Sequence, residues 1–471
     1  MRRRPLLAIL ILTVSWAGWF SLSVWQRHVH LLSSQFDLGI MDQVVWQTIH
    51  GHFFQMTSPV LGILQSRAAI HGDLFLLALT PFYALWADPR TLVLIQVAAL
   101  ASGTLPLWLL ARRRLPEIWA VVVAGLYLVQ PGLAWTALFD LHAVVFTTPL
   151  LLWAVWAATT RRWVWMWIFF FAALTTKEEV GLVVAMTALV LGWKKILTWR
   201  NAIAVGSVSL IWVAVMTALV LPHYADNDAH FAISYFAEYG QSVPEIFLGI
   251  LRHPIIFSRD LLTPITVGYI IIMTGATGLV AWRKPLWLVA AVPTFVMNMI
   301  SNDPNMHALY YQYTATITPF VMLAMIDGFD RLTNLRSHPL MKFWTVTWVG
   351  VMVWLWVPLP GMRHHHDAVR VFTKNPYEET VRRMADEIPP NVALAVSNDL
   401  GPQFSRRDRI WVFPNALDRA EGVVVLLGRE RDILPQAELV TQVEILKQSA
   451  HWRLVEAEND QLFYFTRTNN R

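Results

Sequence analysis

The sequence lacks cysteine and is poor in charge: Asp, Glu, Lys and Arg make up 15% of its 471 residues. Soluble globular domains carry about 25% of charged residues, so the composition argues against a wholly water-soluble chain. The absence of cysteine excludes a disulfide framework, a thiolate metal site and a cysteine nucleophile. Basic residues form small clusters between apolar runs, which favours membrane lipids as neighbours and gives no reason to expect nucleic-acid binding.

Apolar residues make up 56% of the chain and are gathered in long runs. The first run, Pro5–Trp25, reaches the length of about 20 residues that crosses a bilayer. It has no small-residue cleavage site, so we predict a retained anchor. With the runs that follow it, the sequence predicts eleven spans, the others being Thr91–Ala111, Glu117–Ala137, Ala143–Thr159, Trp163–Thr176, Val180–Trp193, Asn201–Leu221, Thr263–Trp282, Pro285–Ile300, Thr314–Phe329 and Lys342–Pro358.

Basic residues predict the orientation of these spans. Arg2-Arg3-Arg4 precede the anchor and should stay in the cytoplasm under the positive-inside rule. The apolar run His71–Trp86 is ambiguous, but only if it does not cross do the later basic clusters all fall in the cytoplasm. It contains Pro81 and begins with His71 and Asp73, so we predict a juxtamembrane segment. These later clusters are Arg112-Arg113-Arg114, Arg161-Arg162, Lys194-Lys195 with Arg200, Arg283-Lys284, and Arg331 with Arg336.

With this number of crossings, the polar connections that can carry chemistry fall on the opposite, outer face. They are Gln26–Ile70, Phe139–His142, Lys177–Glu179, Pro222–Leu262 and Ser301–Tyr313. We therefore predict a multi-pass protein of the inner cell membrane with a cytoplasmic N-terminus and an active face turned outward.

After Pro358-Leu359-Pro360 the composition becomes that of a soluble domain. Helical patterns follow Asn375-Pro376 and cover Pro435–Ser449, and short β-type runs alternate with them. Those runs are Val392–Val396, Ile410–Phe413, Val423–Leu427, Trp452–Glu456 and Gln461–Thr466. We predict a mainly α membrane domain over residues 1–360, with juxtamembrane helices in its first outer loop (26–90), and a small extracytoplasmic α/β domain over 361–471.

Four stretches of sequence carry a family resemblance. They are Phe36-Asp37-Leu38-Gly39 with Asp42-Gln43, Ala69-Ile70-His71-Gly72-Asp73, Phe139-Asp140-Leu141-His142, and Thr176-Lys177-Glu178-Glu179-Val180-Gly181-Leu182. They resemble an uncharacterised family of polytopic bacterial and archaeal membrane proteins. That family is similar to the glycosyltransferase C (GT-C) superfamily, which includes protein mannosyltransferases and the aminoarabinose transferase of lipid A.

This resemblance implies a GT-C-like fold and a membrane glycosyltransferase. Such an enzyme moves a sugar from a polyprenyl-phosphate carrier to an outer-face acceptor, so its expected partner is a lipid-linked sugar donor. Members carry a catalytic acidic residue just after the first membrane helix, the place of Asp37. Several open a later span with Thr-Lys, as Thr176-Lys177 does, but continue with Gly-Pro where this chain has Glu178-Glu179. Some members need a divalent metal and others do not, so Mg²⁺ or Mn²⁺ is a candidate cofactor.

Asp37 and Asp42 are the catalytic candidates. Asp37 is the predicted general base, which must lie within hydrogen-bond reach of the acceptor hydroxyl. Asp42 is five residues further on, and at 3.6 residues per helical turn the two carboxylates face different directions. The alternatives are a solvated or capping role for Asp37 and a local helix or loop ligand for Asp42.

The substrate-binding candidates lie in the other outer connections. Lys177 would neutralise the lipid phosphate, with Glu178 or Glu179 orienting it; the alternative is a buried ion-pair cluster that satisfies itself. Asp140 and His142, with Asp37 and His71, make an oxygen and nitrogen set for a divalent metal, although no zinc-type spacing exists. The segment Tyr310-Tyr311-Gln312-Tyr313, with Gln312 as the substrate-binding candidate, would stack on a sugar or hold the isoprenoid; the alternative is an interfacial aromatic belt. The full set is His71, Asp73, Asp140, His142, Lys177, Glu178 and Gln312.

Two other classes of function compete with the enzyme. A transporter or flippase of a lipid-linked substrate would place charged or helix-breaking residues near the midplane of paired repeats. The sequence shows no repeat, and its ionisable residues collect at one face, which favours the enzyme. A membrane scaffold without catalysis, whose outer domain binds a partner, is the second alternative.

Overall fold

The computed structural model describes residues 3–58, 61–225, 231–275, 277–330, 371–429 and 433–468. Over these ranges the chain is mainly helical, with a five-stranded sheet near the C-terminus. The predicted span Lys342–Pro358, the basic residues Arg331 and Arg336, and the predicted domain boundary at residue 360 lie outside the described residues.

The helices of the membrane part are apolar, and several begin with a proline or a polar cap. Pro89, Pro131 and Pro264 each open a helix, where the missing N–H costs nothing. The helices are α1 (Arg3–Val29), α2 (Ile40–Ile49), α3 (Thr80–Leu85), α4 (Pro89–Ser102), α5 (Thr104–Ala111), α6 (Glu117–Leu128), α7 (Pro131–Leu138), α8 (Thr147–Thr159), α9 (Trp163–Leu174), α10 (Val180–Trp193), α11 (Trp199–Val215), α12 (Leu221–Tyr224), α13 (Val243–Arg252), α14 (Pro254–Leu261), α15 (Pro264–Gly275), α16 (Leu288–Ile300) and α17 (Thr318–Asp330).

Three continuous helical stretches in the described ranges are long and apolar enough to cross a membrane: Arg4–Val29, Pro89–Ala111 and Trp199–Tyr224. Two bent pairs raise this number to five if each is one span: α6 with α7, at 44°, and α14 with α15, at 56°. The other apolar helices are shorter, because polar turns and prolines interrupt the runs. The polytopic helical class is confirmed, whereas the predicted count of eleven spans is not.

The ambiguous run His71–Trp86 forms a 3₁₀ turn, Leu74–Leu79, followed by α3. Twelve residues in these conformations extend about 20 Å, short of the roughly 30 Å of a hydrocarbon core. Pro81 lies in the first turn of α3, where it breaks no hydrogen bond. Helices such as α9, with 12 residues, are equally short, so the location of this segment beside the membrane stays a prediction.

The C-terminal domain is a mixed sheet with helices packed on it. Its strands follow the order β4-β3-β5-β7-β6; β3 pairs in parallel with β4 and β5, and β7 runs antiparallel to β5 and β6. Each of the five predicted β-type runs overlaps one strand. The elements are β3 (Leu394–Val396), β4 (Ile410–Val412), β5 (Gly422–Leu426), β6 (Trp452–Glu458), β7 (Leu462–Arg467), α18 (Glu378–Glu387), α19 (Gly401–Phe404) and α20 (Gln436–Gln448). A hairpin of β1 (Gln55–Thr57) and β2 (Leu64–Ser66) belongs to the first outer loop.

Alternation along the central strands gives the sheet two apolar faces. Leu394 and Val396 pack on the face that α18 covers, and Ala395 and Val423 pack on the other. Leu31, from the connection after α1, is part of the first of these clusters and is 1% exposed. The first outer loop therefore contributes to the core of the C-terminal domain, which fixes the two domains against each other.

Candidate active site

Residues from all five predicted outer connections meet at one end of the helical bundle. Arg27 in the first connection donates to the Tyr310 hydroxyl at 3.1 Å, and the backbone N–H of Asn302 donates to the Tyr235 carbonyl at 2.9 Å. The remaining links are Asp37 Oδ1 to His142 Nε2 at 3.5 Å and His71 Nδ1 to Glu178 Oε1 at 2.8 Å. The connections that the sequence assigns to one side therefore lie together.

Asp37 lies in a π-helical turn, Gln35–Gly39, that leads into α2. The Ser34 side chain does not cap this helix. Instead, Asn398 of the C-terminal domain accepts from the backbone N–H groups of Gln35, at 3.1 Å, and Phe36, at 3.3 Å. These are helix-terminal donors that lack an intrahelical acceptor. A side chain from the other domain thus fixes the first turn that carries Asp37.

Asp140 supports the same turn from below. Its carboxylate accepts from the Ser34 backbone N–H at 2.7 Å and pairs with Arg27 Nε at 3.3 Å. Both charged groups of this pair are buried, so the pair holds the end of α1 and the start of the next helix together. Asp140 therefore stabilises the turn that carries Asp37, and both of its carboxylate oxygens already contact protein groups.

His142 contacts Asp37 directly. Its ring stacks on Phe139 with 5.4 Å between centroids, and its Nδ1 lies 3.2 Å from the carbonyl oxygen of Asp140. An imidazole that donates from Nδ1 to this carbonyl can donate from Nε2 to Asp37 only when doubly protonated. The Asp37 side chain is 27% exposed, so solvent reaches part of its carboxylate.

The two glutamates after Lys177 turn in different directions. Glu179 pairs with the Lys177 ammonium at 2.9 Å. Glu178 accepts from His71 Nδ1 and, at 2.9 Å, from the Gly72 backbone N–H. A Cβ on Gly72 would lie 2.5 Å from Met216 Cε and 3.6 Å from Glu178 Oε2, so the close approach suits glycine. Glu178 thus orients the loop, and Glu179 contacts the cation.

Lys177 keeps its charge at this site. Burial alone would lower the pKa of the ammonium, but the neighbouring Glu179 and Glu178 carboxylates raise it, and the net shift is upward. The side chain is 18% exposed. A permanently charged, partly open ammonium suits the recognition of an anion, although that anion must compete with Glu179.

Tyr313 shows that Asp37 and Lys177 share one electrostatic environment. Burial raises the pKa of the Tyr313 phenol; Lys177 opposes this shift, and the carboxylates of Asp303 and Asp37 add to it. Burial also raises the pKa of the Tyr235 phenol; Asp303 adds to this shift, and Lys177 opposes it. Tyr235 and Asp303 thus join the site, and both were missed as site residues by sequence reasoning because nothing local in the long loops marks them.

Gln312 precedes Tyr313 and carries an unused acceptor. Its Oε1 is buried and has no hydrogen-bond partner within the described part of the chain. The neighbouring aromatic side chains pack inward: Tyr310 is 5% exposed, and Tyr311 meets Phe139 edge-on at 5.0 Å. Tyr310 and Tyr311 therefore form a wall of the site.

Asp42 and Asp73 lie apart from this cluster. Asp42 is fully buried and accepts from the Tyr83 hydroxyl at 2.5 Å and from Ser405 Oγ at 2.6 Å. Burial raises its pKa to about 7, although both hydrogen bonds lower it. Asp73 is buried and accepts from Arg67 Nε at 2.8 Å. Protein groups thus occupy both carboxylates, and the structure places neither beside Asp37.

The predicted metal set does not converge. Asp140 is bound by Arg27, and His71 is bound by Glu178, so neither joins Asp37 and His142. In the described ranges no group of three or more carboxylate or imidazole side chains is placed to hold a metal ion. The four candidate donors therefore do not meet at one point among the described residues, and a metal requirement stays a prediction.

The fold and the sequence were compared with known proteins. The structure is similar to that of ArnT from Cupriavidus metallidurans in the apo state, with a TM-score of 0.50 and 14% identity over 96% of this chain and 98% of that chain. At this identity the similarity concerns the fold alone.

Two Archaeoglobus fulgidus structures also match, over less than two thirds of their own length. AglB in complex with an inhibitory peptide and a dolichol-phosphate has a TM-score of 0.46 and 12% identity over 86% of this chain and 63% of that chain. The oligosaccharyltransferase complex with Zn and sulfate has a TM-score of 0.44 and 14% identity over 86% of this chain and 62% of that chain.

The sequence itself matches no curated protein. It does match the model of a family described as "Predicted membrane protein (DUF2079)" over residues 27–462. This match covers most of the chain, including all four stretches that carry the family resemblance and nearly all of the C-terminal domain. The chain therefore belongs to this family of membrane proteins.

Proposed function

We propose that the protein is a membrane glycosyltransferase that moves a sugar from a polyprenyl-phosphate carrier to an acceptor on the outer face. The observation that carries this proposal is that the outer connections bearing Asp37, beside His142, and Lys177, beside Glu179, meet at one end of the helical bundle. A partly exposed carboxylate and a cation thus lie at the same end of the bundle. The ArnT-like fold and the GT-C resemblance of the motifs support the same reading.

Asp37 is the general base in this proposal. It accepts the proton of the acceptor hydroxyl while that oxygen forms a bond to the anomeric carbon of the sugar. Its carboxylate is partly exposed, whereas those of Asp42, Asp73 and Asp140 are buried and bound by protein groups. His142 and the Asn398 cap hold Asp37 in position.

Lys177 stabilises the leaving group. The bond between the anomeric carbon and the phosphate oxygen breaks, its electron pair goes to that oxygen, and the ammonium offsets the growing negative charge. The phosphate takes the place of Glu179 at the ammonium, which is possible because the Glu179 side chain is 25% exposed. Glu178 and His71 keep the lysine-bearing turn in place.

Gln312 binds the sugar in this arrangement. Its buried, unused Oε1 accepts a hydrogen bond from a sugar hydroxyl, which removes the cost of leaving that atom unpaired. No step needs a metal. A requirement for Mg²⁺ or Mn²⁺ stays a separate prediction, tested by adding EDTA and then either ion to the assay below.

The test is transfer in proteoliposomes that contain the full chain and a panel of synthetic polyprenyl-phosphate sugars. Release of polyprenyl phosphate is measured for the unaltered protein, Asp37→Asn and the exposed control Asp418→Asn. We expect Asp37→Asn to lose on the order of a hundred- to ten-thousand-fold in rate, and the control to keep its rate. Equal rates for the protein and Asp37→Asn would overturn the proposal, as would carrier translocation without release, which would favour a flippase.

A further inference from the structure

A second polar cluster lies at the opposite end of α10 from the proposed active site. Lys177–Glu179 precede α10, and Lys194 follows its last residue. A helix of 14 residues is about 21 Å long, so the second cluster lies about that far from the first. It borders a small cleft of about 40 Å³ between α5, α8, α10 and α17.

The charge of this cleft is positive. Arg113, Arg114 and Lys194 line it, against a single carboxylate, Asp327. Arg114 pairs with Asp327 at 3.1 Å, and the Lys194 ammonium contacts the same carboxylate. One negative charge thus faces three positive charges, which leaves an excess of two at neutral pH.

Arg113 supplies an uncommitted part of this excess. Its side chain is exposed, and no hydrogen bond, ion pair or ring contact joins it to another residue in the ranges that the structure describes. A guanidinium presents five donors in a planar fork that matches phosphate oxygens. Arg113 can therefore bind an anion without breaking an existing contact.

The walls of the cleft are apolar. Leu110, Val155, Leu323 and Ile326 are buried lining residues. The Lys194 ammonium lies 5.3 Å from the centre of the Trp287 ring, a cation–π contact that orients it at the edge of the cleft. Because these apolar residues are buried, the groups that a ligand can reach are mainly the cations at the rim of the cleft.

We propose that this cleft binds the phosphate headgroup of an anionic phospholipid. The positive-inside rule places this end of the bundle in the cytoplasm, where anionic lipids give the leaflet a negative surface potential. Arg113 and Lys194 hold the phosphate at the mouth of the cleft, and the rest of the lipid stays in the leaflet. The site is separate from the outer face and is independent of the glycosyltransferase proposal.

The test is a lipid titration of the full-length protein in detergent, followed by native mass spectrometry. Apparent affinities for phosphatidylglycerol and phosphatidylcholine are compared for the unaltered protein, Arg113→Gln and Arg200→Gln. Arg200 is a matched control, because it is exposed near the same end of α10 but does not line the cleft. Because the Arg113 side chain is exposed and makes no contact within the described part of the chain, we expect its replacement to leave the fold intact.

We expect the unaltered protein to bind phosphatidylglycerol about tenfold more tightly than phosphatidylcholine, the value of one charge-assisted hydrogen bond. Arg113→Gln should lose this preference, and Arg200→Gln should keep it. Equal binding of both lipids, or an equal loss in the two variants, would overturn the site. Full competition by millimolar inorganic phosphate would overturn its assignment to a lipid.

Discussion

Ser405 donates a hydrogen bond of 2.6 Å to Asp42 across 363 positions of the chain. Gln43 and Gln47 lie in α2 with Asp42. The Gln43 amide donates to the carbonyl oxygen of Arg407 at 3.1 Å, and the Gln47 amide donates to that of Asp408 at 3.1 Å. The second half of the Phe36–Gln43 motif is therefore a docking surface for the C-terminal domain. Its first half, with Asp37, faces the proposed active site.

Asp42 should make stability depend on pH. Its pKa of about 7 in the folded protein lies above the ordinary value of 3.8 because the site disfavours the charged form. The contribution of Asp42 to the free energy of unfolding is therefore greatest below about pH 4. It falls by at most about 4 kcal/mol as pH rises to about 7. Thermal unfolding in detergent at pH 5 and pH 8 measures this, and Asp42→Asn should flatten the difference. A variant with the full pH response of the parent would contradict the assignment; the exposed change Glu387→Gln is the control.

Asn398 should stabilise the first outer helix through its cap. Asn398→Ala removes the oxygen that accepts from Gln35 and Phe36 and should cost about 1–2 kcal/mol, as lost caps do. Asn398→Asp keeps an acceptor oxygen and should restore most of the loss. The unfolding midpoint and the transfer rate are measured together, with the exposed Asn391→Ala as control. A midpoint that is the same for Asn398→Ala and Asn391→Ala would rule out the capping role.

Lys177 should be needed for its charge. Lys177→Met removes the ammonium beside Glu179 and should reduce carrier release by about a hundredfold, the effect of deleting one donor to a developing anion. Lys177→Arg keeps a positive charge and should retain more activity. The exposed Lys195→Met is the matched control for the loss of one cation. Equal activity of the Met and Arg variants at position 177 would show that charge is not its contribution.

The topology can be tested with single cysteines in this cysteine-free chain. Asp418, with a side chain 76% exposed, is a suitable position in the C-terminal domain, whereas Ser397 is buried. An impermeant thiol reagent should label Asp418→Cys in intact cells and should reach Arg113→Cys only after permeabilisation. Labelling in the reverse order would invert the orientation and place the proposed active site in the cytoplasm.

Local patterns of sequence carried a large part of the fold. Apolar runs located the helices, and short β-type runs located all five strands of the C-terminal sheet. The number of spans could not be predicted from the apolar runs alone. A proline such as Pro131 can begin a new helix within one apolar run, and the two helices then meet at an angle of 44°. Hydropathy alone does not separate a bent span from two short helices.

The site was harder to predict than the fold. Short motifs marked Asp37, His142 and Lys177, but the partners of these residues come from distant parts of the chain. Asp140 meets Arg27 across 113 positions, and Asn398 meets Gln35 across 363. A single sequence does not show which distant residues pair, so Asp42 and Asp73 remained site candidates beside Asp37. Burial and hydrogen-bond partners separate them.

The Asn398 cap also sets an order of events during synthesis. Gln35 leaves the ribosome 363 residues before Asn398. At 5–20 residues per second, the first outer loop waits roughly 20 to 70 s for the side chain that caps it. During this interval the turn that carries Asp37 lacks its acceptor and the cluster around Leu31 lacks its sheet. A nascent or truncated chain can thus insert its first helices without yet holding the carboxylate in its final position.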